Sequence, residues 1–401
     1  MEKLLCRSFQ AIMKVGMYLL PWGIPGTIKG PGSIKELPAK IKKDKCQNVL
    51  IVSDHTLVEI GLINPLLKAF DDAKLNYVLF DDIMPNPTDV NVEDGVHQYL
   101  RNRCDAIVMF GGGSPMDCGK AIAARIARPK RMVPQLQGLF KVLAKVPRMY
   151  AIPTTSGTGS ETTIAAVITD SKTHHKASIN DLCLIPKVAV LDPELTVGLP
   201  KHITATTGMD ALCHAVEAYT NHTYNSRLEN DFCRRAVRLI HDNLLIAYNE
   251  PENLEARQNM QLAAFYAGRA FTRGCVGYVH AIGHTLGGLY GTPHGLAMAI
   301  LLPKVMRAYG PRAEKYLAEL ADVCALEANN DSDHARAMEF IKWIEEANKE
   351  MDIPEFPPIL KASDVDTIVE WAHKEGNPLY PTPVVWTKKD FRNFLEKMIT
   401  E

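Results

Sequence analysis

The chain lacks an excess of charge of either sign. Its 45 Lys and Arg stand against 46 Asp and Glu, a net of −1 with no long run of one sign. Such a balance leaves no electrostatic footprint for nucleic acid. Paired cysteines are missing too. Nine cysteines are scattered, with neither the spacing of a zinc ribbon nor that of a disulfide scaffold, so a reducing, cytoplasmic setting is expected. Long uninterrupted apolar runs are also absent. The stretch from Met1 to Trp22 is apolar but broken by Arg7, Gln10 and Lys14, which argues against both a signal peptide and a membrane span. An amphipathic helix packed on the body or on a partner chain is expected there, with interfacial membrane attachment as the alternative.

What is present is an ordinary globular composition, 46% apolar and 23% charged, over 401 residues. That length exceeds what one hydrophobic core usually serves, so two domains are expected. The first half carries short apolar runs of strand type at Asn48–Asp54, Asn76–Phe80, Asp105–Phe110, Arg148–Pro153 and Lys187–Asp192. Helical stretches separate them, the pattern of a parallel sheet covered on both faces. Beyond Leu199-Pro200 helical periodicity takes over. The expected architecture is an α/β nucleotide-binding domain over 1–200, with 1–22 as an extension, followed by an all-α domain over 201–401. The cleft between them is the expected site.

Two loops in the first half suit a phosphate. Gly111-Gly112-Gly113-Ser114 follows one strand and opens a helix that contains Asp117. Glycines there let backbone N–H groups approach a pyrophosphate, and the helix N-terminus favours its charge. The spacing is not the common G-x-G-x-x-G, and alone such a turn is often ligand-free. A second loop, Pro153 to Glu161, packs Thr154, Thr155, Thr158 and two glycines after another strand. Two such loops converge on the crevice where α/β sheets bind ligands. Asp54, ending the first strand, is placed either to bond a ribose hydroxyl, which favours NAD over NADP, or to cap the next helix.

The second half suits a metal. Asp210 and His214 lie four apart, hence on one helix face, and His280 and His284 repeat that spacing. His294 follows in a turn. Imidazole and carboxylate suit Fe²⁺, Zn²⁺ and similar ions. Each element alone is weak, since a lone buried histidine is usually a satisfied core residue. Three histidines within fifteen apolar, glycine-rich residues are costly to bury without a shared role.

These residues together resemble the iron-dependent alcohol dehydrogenases, whose fold is shared with glycerol dehydrogenase and dehydroquinate synthase. The resemblance rests on FGGGSPMD at 110–117, MPNPT at 84–88, IPTTSGTGSE at 152–161, DPEL at 192–195, GMDALCHAVEAY at 208–219 and GYVHAIGHTLGGLYGTPHG at 277–295. It implies that Asp210, His214, His280 and His294 are the metal ligands and that His284 lies near the metal without ligating it. It further implies that Asp54, Asn86, Gly112, Gly113, Ser114, Asp117, Thr154, Thr155, Thr158 and Lys176 surround a nicotinamide cofactor. The metal it implies is Fe²⁺, with Zn²⁺ or another divalent ion as substitute, and the assembly a homodimer or larger homo-oligomer.

The expected reaction is hydride transfer between NAD(H) and a small alcohol or aldehyde, with His284 either relaying the proton to solvent or only shaping the pocket. Arg273 departs from the family pattern, and is expected either to be solvated or paired with a carboxylate, or to contact an anionic substrate group. Two rival readings are a dehydroquinate synthase-like lyase using NAD and a metal, and a non-catalytic assembly protein.

Overall fold

Strand β1 (Gly26–Lys29), β2 (Asn48–Val52), β3 (Asn76–Phe80), β4 (Ala106–Gly111), β6 (Arg148–Pro153) and β9 (Val188–Leu191) form one six-stranded sheet in the order β1-β9-β6-β4-β2-β3. Every pairing in it is parallel. A smaller sheet joins β5 (Gly138–Leu139), β8 (Lys176–Asn180) and β7 (Ala165–Thr169). The computed structural model describes residues 1–172 and 176–400. Within these, two compact units stand out: Pro21–Gly198, and Met1–Leu20 together with Leu199–Glu401.

The sheet unit follows from alternation within fully apolar strands. Leu50, Val52, Ile107, Met109, Met149 and Ala151 face one side and pack with Val92, Val96 and Ile122 of the helical layer there. Val49, Ile51, Val108, Phe110, Tyr150 and Ile152 face the other and pack with Leu37, Leu66 and Phe70. Both faces are buried, which is why these strands read as continuous apolar runs. Strand β1 escaped the sequence reading because it is four residues long and mostly exposed. The small sheet escaped it for a similar reason, its strands being only partly buried.

The helical unit is built around the helix Lys201–Asn221, buried continuously from Gly208 to Asn221. A helix buried on all sides has no polar stripe. Gly208 lets the next helix approach, since a Cβ there would lie 2.3 Å from Leu244 Cδ1. Around it pack Arg227–Asn249, Leu254–Gly274, Tyr278–Tyr290 and His294–Tyr309, followed by Pro311–Val323, Asp333–Glu350, Val365–Gly376 and Lys388–Thr400. Ser226 and Glu229 close a capping box that starts the first of these, Arg227–Asn249.

The N-terminal stretch forms the helix Glu2–Leu19. Its place in the sequence groups it with the α/β half, yet it lies in the helical unit. The physical reason is a set of polar anchors. Arg7 donates to the carbonyls of Thr382 (2.8 Å) and Pro383 (2.9 Å), and Gln10 donates to those of Pro378 (3.0 Å) and Tyr380 (2.9 Å). Among the described residues no helix is long and apolar enough to cross a membrane.

Candidate functional site

In the sheet unit the two glycine-bearing loops leave adjacent strands, β4 and β6, at the same end. They abut through their backbones: Thr154 N–H donates to the Gly111 carbonyl at 3.1 Å. A Cβ on Gly112 would lie 3.5 Å from Thr155 Oγ1, and one on Gly113 would lie 3.2 Å from Thr158 Cγ2. Gly111 has φ +145°, and a Cβ there would meet Pro115 at 2.6 Å, so glycine is required. The helix Gly113–Ala127 starts without a side-chain cap, which leaves its first N–H groups for an anion. Asn86 (φ 63°) joins this cluster, its N–H donating to Ser114 Oγ at 3.3 Å while Lys176 Nζ donates to its Oδ1 at 2.8 Å.

Asp117 turns towards the second loop. Its carboxylate accepts from Ser160 Oγ at 2.9 Å and from Val167 N–H at 3.1 Å. Beside it lies a residue that sequence reading missed. Lys120 is fully buried, and its Nζ reaches Ser160 Oγ (3.1 Å), Thr163 O (3.0 Å), Thr163 Oγ1 (2.9 Å) and Ala165 O (2.9 Å). Burial lowers this ammonium to about 8, a fall restrained by the carboxylates of Asp117 and Glu161. Burial likewise raises Glu161 to about 7, against a backbone hydrogen bond and Lys120. Asp54 caps the short helix His55–Glu59, accepting from Leu57 N–H at 3.0 Å.

In the helical unit Asp210 and His214 project from the helix Lys201–Asn221, while His280 and His284 come from Tyr278–Tyr290. His294 is the first residue of His294–Tyr309. One ligand atom from each of Asp210, His214, His280 and His294 lies within 4.8 Å of all the others. Asp210 Oδ1 is 3.3 Å from His294 Nε2, 3.9 Å from His214 Nδ1 and 4.0 Å from His280 Nε2. Three of these atoms, Asp210 Oδ1, His214 Nδ1 and His280 Nε2, are buried with no hydrogen-bond partner. Converging buried lone pairs without hydrogen-bond donors fit a cation, which would satisfy all of them at once.

The surroundings hold these atoms in ligand form. The His214 ring stacks between Phe271 (4.2 Å) and His280 (4.6 Å). Burial pushes His214 down to about 3 and His280 well below the usual imidazole range, so both are neutral. His280 Nδ1 lies 2.6 Å from Glu217 Oε2, which keeps a proton on Nδ1 and the lone pair on Nε2.

Glu217 is the second residue that sequence reading missed. Its other oxygen accepts from Val279 N–H at 2.8 Å, and burial raises it to about 7. Gly277 makes room for it, since a Cβ there would lie 2.7 Å from Glu217 Oε1. Cys213, Glu217 and His280 also lie close together. Burial holds the Cys213 thiol well above its usual range, however, and Glu217 is already bonded. The first cluster is therefore the better ligand set.

His284 stands beside the cluster, its ring stacked on His294 at 5.2 Å. Its Nδ1 lies 2.7 Å from Glu375 Oε1, which also accepts from Tyr380 O–H at 3.0 Å. Neither partner carried a signal in the sequence. Arg273 is buried and paired with Glu229 at 3.1 Å, its guanidinium 4.5 Å from the centre of the Tyr18 ring. It takes the carboxylate-paired alternative.

A parallel sheet with two abutting glycine loops, and a helical unit with a carboxylate and three histidines in one cluster, together define a class. The chain belongs to the iron-containing alcohol dehydrogenases: that family matches residues 25–193, and the family's C-terminal region matches residues 204–399. Among its relatives, the 1,3-propanediol dehydrogenase of Klebsiella pneumoniae is 36% identical over 352 residues, 87% of this chain and 90% of that protein. The NAD-dependent methanol dehydrogenase of Bacillus methanolicus is 37% identical over 330 residues, 82% and 86% of the two chains. The crystal structure of a 1,3-propanediol oxidoreductase superposes with a TM-score of 0.90 at 33% identity, covering 94% of this chain and 99% of that one. The family makes the chain an alcohol dehydrogenase, and the lyase and assembly readings are set aside.

Proposed function

We propose that the protein transfers hydride between NAD(H) and a small alcohol or aldehyde, with iron held by Asp210, His214, His280 and His294. The observation that carries the metal assignment is the convergence of three buried, unpartnered ligand atoms with His294. When bound, Fe²⁺ or a substituting Zn²⁺ supplies Lewis acidity that makes an alcohol proton easier to lose. The nicotinamide supplies the hydride acceptor.

The protein's own residues do the rest of the work. Glu217 holds the His280 proton at Nδ1, and the Phe271 ring fixes the plane of His214. His284 takes the substrate hydroxyl proton at Nε2 as general base, and Glu375 stabilises the N–H at Nδ1. Gly112, Gly113, Ser114, Thr154, Thr155 and Thr158 bind the dinucleotide phosphates, while Asn86 and Lys176 close over them. Asp117 acts through Ser160 to set the second loop. Asp54 reads the ribose while capping its helix, which favours NAD over NADP. The domain division is 1–200 and 201–401, apart from the N-terminal helix. We place the enzyme in the cytoplasm as a homodimer or larger assembly.

The test is a panel of short alcohols, diols and hydroxy acids, offered with NAD and with NADP to protein loaded with Fe²⁺ and then Zn²⁺. Alcohol-dependent reduction of NAD is expected. Metal bound at one ion per chain without turnover on any member would defeat the reading.

A further inference from the structure

We propose that the outward face of the N-terminal helix is a self-association surface, at which it pairs with the same helix of a second copy of this chain. The inference does not rest on the proposed activity. A surface helix normally buries its apolar stripe and shows water its polar one. Here Cys6 and Met17 are buried on the inward side, yet a second apolar stripe faces outward.

The inward side carries the polar anchors. Gln10 is buried and, with Arg7, is bonded to the carbonyls of the 378–383 segment. From its flanks Glu2 pairs with His373, the half-exposed Lys3 lies 3.4 Å from Asp390, and the half-exposed Tyr18 donates its O–H to the Asn225 carbonyl at 2.9 Å. The outward side carries Leu4, Leu5, Ile12, Val15 and Leu19, all between 62% and 80% exposed.

Three features select a second copy as the occupant. First, Leu5, Ser8, Ile12, Val15 and Leu19 follow one another in alternating steps of three and four, the seam of a helix that packs against another helix. Second, the seam holds no charge, so a twofold pairing brings no like charges together. Third, the four apolar side chains of the seam together with Leu4, at roughly 100 Å² each, give about 1,000 Å² across a symmetric pair, the threshold of a specific interface. A membrane fits less well. Interfacial helices keep Lys and Arg free for anionic head groups, whereas Lys3 and Arg7 are bound to the body, leaving Lys14.

The experiment is sedimentation of the full-length protein beside Leu5→Glu/Ile12→Glu. The variant is expected to show half the assembly mass of the parent, with the rate per subunit unchanged. Ile12→Ser, milder and at an exposed position, keeps the test open if the glutamates unfold the helix; it should weaken association by about tenfold. A parent that sediments as a monomer, or variants that keep the parent's mass and affinity, would overturn the proposal. So would flotation of the parent, but not the variant, with phosphatidylserine-containing vesicles, which would assign the face to a membrane.

Discussion

The two units prepare for their ligands in opposite ways. The loops of the sheet unit are self-satisfied: Asp117, Ser160 and Lys120 bond one another, and the loop backbones are tied at Gly111 and Thr154. The ligand cluster of the helical unit is left unsatisfied, with three buried atoms lacking partners. A dinucleotide meets a surface shaped by glycines and backbone donors, which can be complete before it arrives. A cation instead takes the place of hydrogen bonds that the protein does not make.

The largest break of this contrast is His280→Ala. Bound metal should fall from about one ion per chain to nearly none and turnover by about a thousandfold or more, while NAD binding to the sheet unit persists. Metal analysis beside NAD titration checks both, and lost NAD binding would show that the two units are not separable. Next is Lys120→Met in the self-satisfied unit. Leaving the oxygens of Ser160, Thr163 and Ala165 without their donor should cost about 3 kcal/mol and raise the KM for NAD more than it lowers kcat. A pH signature accompanies it. Lys120 titrates at about 8 in the folded protein and near 10.4 in the unfolded chain. Between these values the unfolded chain holds the extra proton, so raising the pH through that window favours folding, by about 1.4 kcal/mol per pH unit at the steepest. Denaturant melts from pH 7 to 10 should show this rise in the parent relative to the variant.

Glu217→Gln tests how far the unsatisfied cluster depends on its support, and metal affinity should drop about 10–100-fold with the ligands intact. An unchanged affinity in a competition titration would leave Glu217 only a packing role. His284→Ala should retain metal and slow the reaction by about tenfold or more, with an altered pH–rate profile. An unaltered profile removes His284 from proton transfer. The smallest effect is expected from Asp54→Asn, which preserves the cap. The melting temperature should hardly move, while the preference for NAD over NADP shrinks by several-fold; kinetics with both cofactors decide whether Asp54 does more than cap.

Legibility differed between these residues for physical reasons. Strands β2, β3, β4, β6 and β9 were readable because both sheet faces are buried, and the residues of the metal cluster because histidines amid small apolar residues are conspicuous. Lys120 was not, since a lysine in a helix ordinarily reaches water. Glu217 lay in plain view one turn beyond His214, yet its pairing with His280 spans 63 positions. Glu375 is 91 positions from His284. The N-terminal helix showed its amphipathicity in sequence, but not which side would face the body.

By itself the sequence determined what depends on neighbours along the chain: strand and helix periods, glycines where φ is positive, and carboxylate and imidazole four apart on one helix face. The tertiary structure alone decided which residues support the ligands, where the buried lysine finds its acceptors, and that the first helix sits in the helical unit with Cys6 and Met17 inward and a second apolar stripe outward. The reason is that local backbone preferences act over a few residues. Desolvated hydrogen bonds such as Lys120 to Thr163 or His280 to Glu217 arise only when distant segments meet.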